Sequence, residues 1–364
     1  MTGSPLLLGV VGALQYLPVL LFSLHVGAMI DQWEKKRVVI FTQIMFTCIA
    51  SALSILVLTH QIRYWHLLIL SAAIGIVNAV DLSARQAFNI EMVGKRDLMN
   101  AIGLNSAVFN GARIVGPAIA GVIMAGLGIG YCFLINALSF IPLVAGLFFI
   151  KPAFSYMSEP ADRNILRDIS DGVNYMISEK NIFTTIITVF IVGTFILNFN
   201  VLVPVLAKTG LGLSEKGYGF LWSCMGIGSL TGALVIAVKS GQGPKNTVLS
   251  IYPSAVSLLF VLIGLNNNLF VSSMLLGAAG FITVAIMITA NSSLQLQSKD
   301  EFRSRIISLY MLVNAGTTPV GNLIAGGLSN VFGIKTCFII IGAGVFLLLA
   351  IQRCFILRST KKAR

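Results

Sequence analysis

Residues 116–135 read GPAIAGVIMAGLGIGYCFLI, and residues 321–340 read GNLIAGGLSNVFGIKTCFII. At one constant offset of 205 (321 − 116), Gly116 meets Gly321, Ile119 meets Ile324, Ala120 meets Ala325 and Gly121 meets Gly326. Further on, Gly128/Gly333, Ile129/Ile334, Cys132/Cys337 and Phe133/Phe338 coincide as well. Apolar helices match one another by chance, but a gap-free register carried through a loop is a repeat. The chain is built from two related halves.

The surrounding sequence says what the halves are made of. Of 364 residues, 56% are hydrophobic and only 10% are charged. A water-exposed surface needs roughly a quarter of the residues charged, so most of this surface faces lipid. A bilayer core takes about 20 apolar residues in a helix. Eleven such segments are expected: 5–30, 38–58, 66–89, 101–127, 131–150, 182–206, 217–238, 247–265, 269–294, 306–331 and 335–357. Helices are required because backbone groups in lipid must bond internally. The fold class is an all-α membrane protein. Its expected domains are a five-span half (1–150), a cytoplasmic linker (151–181) and a six-span half (182–364).

The net charge of +12 is a topology signal. Basic residues gather in alternate loops: Lys35, Lys36 and Arg37; Lys95 and Arg96; Lys151, Arg163, Arg167 and Lys180; Lys239 and Lys245; Lys299, Arg303 and Arg305; and the tail from Arg353 to Arg364. The other loops hold only Arg63, Lys208, Lys216 and Lys335. Positive loops stay inside, so the C-terminus is expected in the cytoplasm, and no nucleic-acid partner is needed to explain the charge. Trp33, Trp65 and Trp222 are expected as interfacial anchors. In the linker, Ile165, Ile169, Val173 and Ile177 recur at helical spacing, which predicts an amphipathic helix on the cytoplasmic face.

The same offset maps 217–238 onto 12–33, and 182–206 onto −23 to 1. The first half thus has five helices against six in the second. The expectation is that the working protein starts upstream with an opening helix that this chain lacks.

The first cytoplasmic loop runs Gly27-Ala28-Met29-Ile30-Asp31-Gln32-Trp33-Glu34-Lys35-Lys36-Arg37. It resembles the signature of the major facilitator superfamily, Gly-x-x-x-Asp-Arg-x-Gly-Arg-Arg, with Gly27, Asp31, Lys35 and Lys36 matching. Gln32 and Glu34 depart from it, which weakens the motif's charge relay. Physically, Gly27 lets helices approach closely, and Asp31 suits a neighbouring helix N-terminus near Ser304. Lys35 to Arg37 on their own read as a solvated turn of membrane-surface cations. The run Asn110 to Gly121, with Gly116, Pro117 and Gly121, resembles the Gly-Pro motif of superfamily exporters, and suits a bending, tightly packed helix. The stretch 81–150 and the linker residues Asp168 to Tyr175 look like the branch containing the enterobactin exporter. The resemblance implies a twelve-span bundle of two halves, eleven spans being present here. It implies a proton-coupled exporter of a siderophore or an amphipathic drug-like compound, working as a monomer in a bacterial inner membrane. An importer of the same fold, or a truncated protein that no longer transports, are the competing readings.

Charges inside spans are rare and usually functional. Arg113 is placed near the centre of 101–127, as a cavity charge for an anion or a carboxylate. Asp81 lies one turn before Arg85, with which it can pair at i,i+4, and is a candidate proton site or gate. The bland reading for both is a fixed ion pair, Asp81 with Arg85 or Arg113. His25 reads as a packing residue. The five cysteines (Cys48, Cys132, Cys224, Cys337, Cys354) are scattered over the apolar segments, with no metal or disulfide spacing. No enzyme constellation, metal cluster or phosphate loop is present in the sequence, so neither catalysis nor a cofactor is expected.

Overall fold

A computed structural model describes the backbone of residues 4–30, 33–150, 165–238 and 246–362. Within these, side chains are described at most positions, but not at 23–30, 94–107 and much of 109–125, among others. Every element among the described residues is helical: α1 (Pro5–Ile30), α2 (Lys35–Leu58), α3 (Tyr64–Gly126), α4 (Ile129–Phe149), α5 (Ile165–Ser178), α6 (Lys180–Phe195) and α7 (Phe199–Val205). A π-helical turn (Leu206–Gly210) leads to α8 (Glu215–Val238), α9 (Asn246–Leu265), α10 (Leu269–Gln297), α11 (Asp300–Phe332) and α12 (Ile334–Lys362). Nine stretches of described helix are long and apolar enough to cross a membrane. The two expected spans outside that set are 101–127, where most side chains are not described, and 306–331. The latter forms α11 but carries Asn314, Thr317, Thr318 and Asn322 along its middle.

Two expected boundaries are corrected. The spans 66–89 and 101–127 are continuous in α3, because the intervening loop (Glu91 to Asn100) holds no Pro and is rich in residues that favour helix. The span 182–206 is broken. Leu197 N reaches back five residues to Val192 O (3.2 Å), and Pro204 has no N–H for the carbonyl of Asn200.

The chain divides into two compact units, one holding Val10 through α4, the other Ser4–Gly9 and α5 onward. In the first, α2 packs on both α3 and α4 around Val38, Val39, Ala84, Phe88 and Leu147. In the second, α9 packs in the same way on α10 and α12. Phe260 of α9 sits at its centre, 5.8 Å from the Phe199 ring and 5.1 Å from that of Phe338. Helices α8 and α10 meet through glycine: a Cβ at Gly228 would lie inside the Gly277 carbonyl.

The repeat is present down to single bonds. Gly128 (φ +92°) starts α4, and Gly333 (φ +78°) starts α12, both in backbone that favours glycine. The thiol of Cys132 donates to Ala120 O (3.7 Å), and that of Cys337 to Ala325 O (3.6 Å). All four residues obey the offset of 205.

The linker helix α5 forms; of its expected apolar face Val173 packs, Ile177 is turned outward, and the side chains of Ile165 and Ile169 lie outside the described residues. Ile177 is 60% exposed, while Gly172, Val173, Tyr175 and Met176 face α11 and its neighbours. Gly172 sets this face, since a Cβ there would be 3.2 Å from that of Arg305. Tyr175 stacks on Phe302 (4.3 Å, 8° between planes), and its hydroxyl accepts from Lys299 N (3.1 Å). Asp171 pairs with Arg305 at 3.5 Å. Trp33 and Trp65 are half exposed, as anchors should be, but Trp222 packs against the second unit's core with its indole nitrogen buried and without a partner. It is a core residue, not an anchor.

Candidate functional site

The first unit concentrates its polar groups where α2 faces α3. One turn of α2 presents Thr42 and Gln43, and α3 presents Asp81 and Arg85 one turn apart. All of this sits in otherwise apolar helix. The Asp81 carboxylate is 5% exposed, and four donors converge on it. Thr42 Oγ1 and Gln43 Nε2 each donate to Oδ1 at 2.7 Å, while Arg85 Nε (3.1 Å) and Nη2 (2.8 Å) donate to Oδ2. The expected Asp81–Arg85 pair therefore forms, inside a larger cluster that includes two residues not expected there. Gln43 gives its amide N–H to the carboxylate, yet its own Oε1 is buried without a partner. An unmet acceptor in such a place costs about 1–3 kcal/mol.

Near the start of α2, the cationic run separates into three different roles. Lys35 is 5% exposed, and its ammonium lies 3.5 Å from the equally buried Glu91 of α3. This corrects the reading of Lys35 as a solvated cation: α3 passes close enough to supply a carboxylate. Lys36 Nζ donates to Ile150 O (2.7 Å) and Phe148 O (3.3 Å), capping the negative end of α4. Arg37 alone is solvated, paired at 2.5 Å with Glu34 on the surface. Gly27 and His25 have no described side-chain environment, and Asp31 lies outside the described residues altogether.

The Gly-Pro stretch is described only in part. Among the described residues, a Cβ at Gly116 would meet nothing within 4 Å. The side chains of Arg113, Pro117 and Gly121 lie outside the described residues.

The second unit carries no buried charge among its described residues, but it does carry buried amides. Where α6 breaks, Asn198 Nδ2 takes Thr194 O (2.6 Å), which an unbroken helix would have kept for its backbone. Asn198 Oδ1 has no partner, nor does either polar atom of Asn322, which is wholly buried on α11. Gly321 makes this contact possible, since a Cβ there would overlap Thr194 O and the Asn198 amide. These residues were not expected. The signal for them was the interruption LNFNVLVP (residues 197–204), two asparagines and a proline within an apolar run.

The whole chain, residues 1–364, matches the family described as transmembrane secretion effector. It is 26% identical over 341 residues to the staphyloferrin A transporter of Staphylococcus aureus (strain NCTC 8325 / PS 47), covering 92% of this chain and 84% of that one. It is 24% identical over 362 residues to the multidrug efflux pump Tap of Mycolicibacterium fortuitum (95% and 86% covered). To macrolide efflux protein A of Streptococcus pyogenes the identity is 19% over 345 residues (94% and 85%). Among solved structures, the fold is similar to the D-xylose-proton symporter (TM-score 0.75, 12% identity, 97% and 88% covered). It is also similar to the nucleoside transporter NupG (TM-score 0.74, 12% identity, 96% and 90% covered).

Proposed function

Since the chain belongs to the transmembrane secretion effector family of the major facilitator superfamily, with relatives that are transporters rather than enzymes, we propose that it exports a small molecule in exchange for protons by alternating access. The cargo we assign is a siderophore or an amphipathic drug-like compound, in line with relatives named for staphyloferrin A, macrolides and multidrug efflux. It works as a monomer in the bacterial cytoplasmic membrane, with its C-terminus inside, as the Lys and Arg distribution supports.

The observation that carries the coupling is the Asp81 cluster, a buried carboxylate beside an unmet acceptor. A proton arriving at Asp81 turns one acceptor oxygen into an O–H donor. The fork from Arg85 loses its charged partner, and Arg85, already partly exposed (41%), can swing to water. Rotation of the Gln43 amide by half a turn then points Oε1 at the new O–H and moves the amide N–H donors to where Oε1 stood. The cluster thus has two hydrogen-bonded arrangements that differ by one proton, the kind of bistable element that coupling needs. Release of the proton to the cytoplasm restores the first.

Everted vesicles loaded by an imposed pH gradient test this, with ethidium and a ferric-siderophore panel as cargo. Asp81→Asn is expected to insert normally and abolish proton-driven flux, while Asp81→Glu retains part of it. Undiminished gradient-driven flux in Asp81→Asn would sink the assignment, and extrusion from these everted vesicles in place of accumulation would reverse its direction.

A further inference from the structure

At one end of the second unit, α6, α9, α10 and α12 border a half-open cavity of about 270 Å³ that polar side chains share with the apolar surface around them. That is just below the size of drug-sized pockets, and fits a headgroup rather than a whole amphiphile. No carboxylate lines it, and Arg353 brings the one formal charge among its lining residues. Arg353 is exposed at the mouth, with Nη2 held only loosely by Ser254 Oγ at 3.4 Å. A guanidinium has five N–H donors, so most of them remain to meet a ligand.

The interior offers the opposite chemistry. The hydroxyls of Thr184, Thr185 and Thr188 all donate to carbonyls of their own helix (2.7, 2.9 and 2.9 Å). Gln352 Nε2 donates to Thr184 O (2.9 Å) and Thr188 Oγ1 (3.1 Å), and Gln297 Nε2 donates to Ser293 Oγ (2.7 Å). With their protons committed, these groups have mainly lone pairs left to give. A bare phosphate would suit Arg353 but meet mainly acceptors deeper in, the amides of Asn181 and Gln297 being the donors there. A phosphate that carries free hydroxyls suits both ends.

We propose that this cavity binds a phosphoglycerol group, with its phosphate on Arg353 and its glycerol hydroxyls donating to the threonine and glutamine oxygens. The source we assign is phosphatidylglycerol of the cytoplasmic leaflet. This assignment rests on the orientation proposed above, which puts the ends of these helices at Lys180, Lys299 and Arg353 on the inside, where basic pockets between helices take anionic headgroups.

Native mass spectrometry of the detergent-purified protein reads the adducts, using phosphatidylglycerol, phosphatidic acid, phosphatidylcholine and soluble glycerol 3-phosphate as probes. Wild type is expected to hold phosphatidylglycerol above the other two lipids. Arg353→Gln is expected to weaken this roughly tenfold, the scale of one charge-assisted phosphate contact. The exposed Lys216→Gln should leave it unchanged. Thr185→Val removes an interior acceptor while keeping shape, and should erase the preference over phosphatidic acid while sparing phosphate affinity. Wild-type retention by Arg353→Gln, or an unchanged preference in Thr185→Val, overturns the site. Glycerol 3-phosphate binding as tightly as the lipid overturns the leaflet source. These readouts need no flux, so their failure leaves the coupling proposal to its own assay.

Discussion

Replacing Glu91 with Gln removes one charge from a pair that has almost no water around it. The side chains of Lys35 and Glu91 are 6% and 9% exposed, and their charged atoms are 3.5 Å apart. At an effective dielectric near 20 their attraction is roughly 5 kcal/mol, much of it cancelled by the cost of drying both ions. Breaking such a pair from one side is another matter, because the remaining ammonium stays buried after losing this carboxylate. That costs about 3–5 kcal/mol. For a unit of this size it corresponds to a melting temperature lower by on the order of 10 °C. The assay is fluorescence-detected unfolding of the purified protein in detergent, run as a cycle with Lys35→Met. Each single substitution is expected to show the full loss, and the double to recover at least about 2 kcal/mol of the sum. Additive single effects, or a Glu91→Gln protein melting within a degree of wild type, would refute the argument that Lys35 is held by this carboxylate.

Lys36→Met should cost about 1 kcal/mol, since it strips the C-terminal end of α4 of its cation, and rescue by Lys36→Arg in the same melting assay checks that the charge is responsible. Gly116→Ala is expected to be neutral or to stabilise by up to about 1 kcal/mol, whereas Gly228→Val should abolish the folded peak in size-exclusion chromatography, because its side chain would occupy the backbone of α10. Reporter fusions are expected to read cytoplasmic at 160 and 364, and external at 62 and 267; the same side at 62 and 160 would overturn the topology.

What could be read from the sequence follows from the range of the interactions involved. The apolar runs and the shared turn at Gly128 and Gly333 are local signals, and both appear in the structure where the residues put them. The thiol bonds of Cys132 and Cys337 span twelve residues and follow the same repeat. Lys35 was misread because its partner is 56 residues away, and nothing between them marks Glu91 as the residue α3 would bring alongside. Gln43 and Thr42 were missed for the same reason, though Asp81 was singled out by its charge alone. The break in 182–206 was within reach of a reading of Asn198 and Pro204, but mean apolarity over a long window hid it. Trp222 shows that proximity to a span end does not fix which way a ring points. The close approach of α5 to α11 is set by Gly172, a residue that a search for apolar spacing passes over.

The offset of 205 also says what was not copied. The equivalents of Asp81 and Arg85 in the second unit are Ile286 and Ala290, both wholly buried and apolar. The equivalent of Asn322 in the first is Pro117, and that of Thr317 is Ala112. The repeat therefore supplies the scaffold twice, turn for turn and thiol for thiol, while among the described residues buried charge is found in one copy alone. Each copy is a natural control for its sibling. Transplanting the Asp–Arg pair onto positions 286 and 290 would put charge into a frame of the same geometry that carries none of it now, and so separate what the frame does from what its residues do.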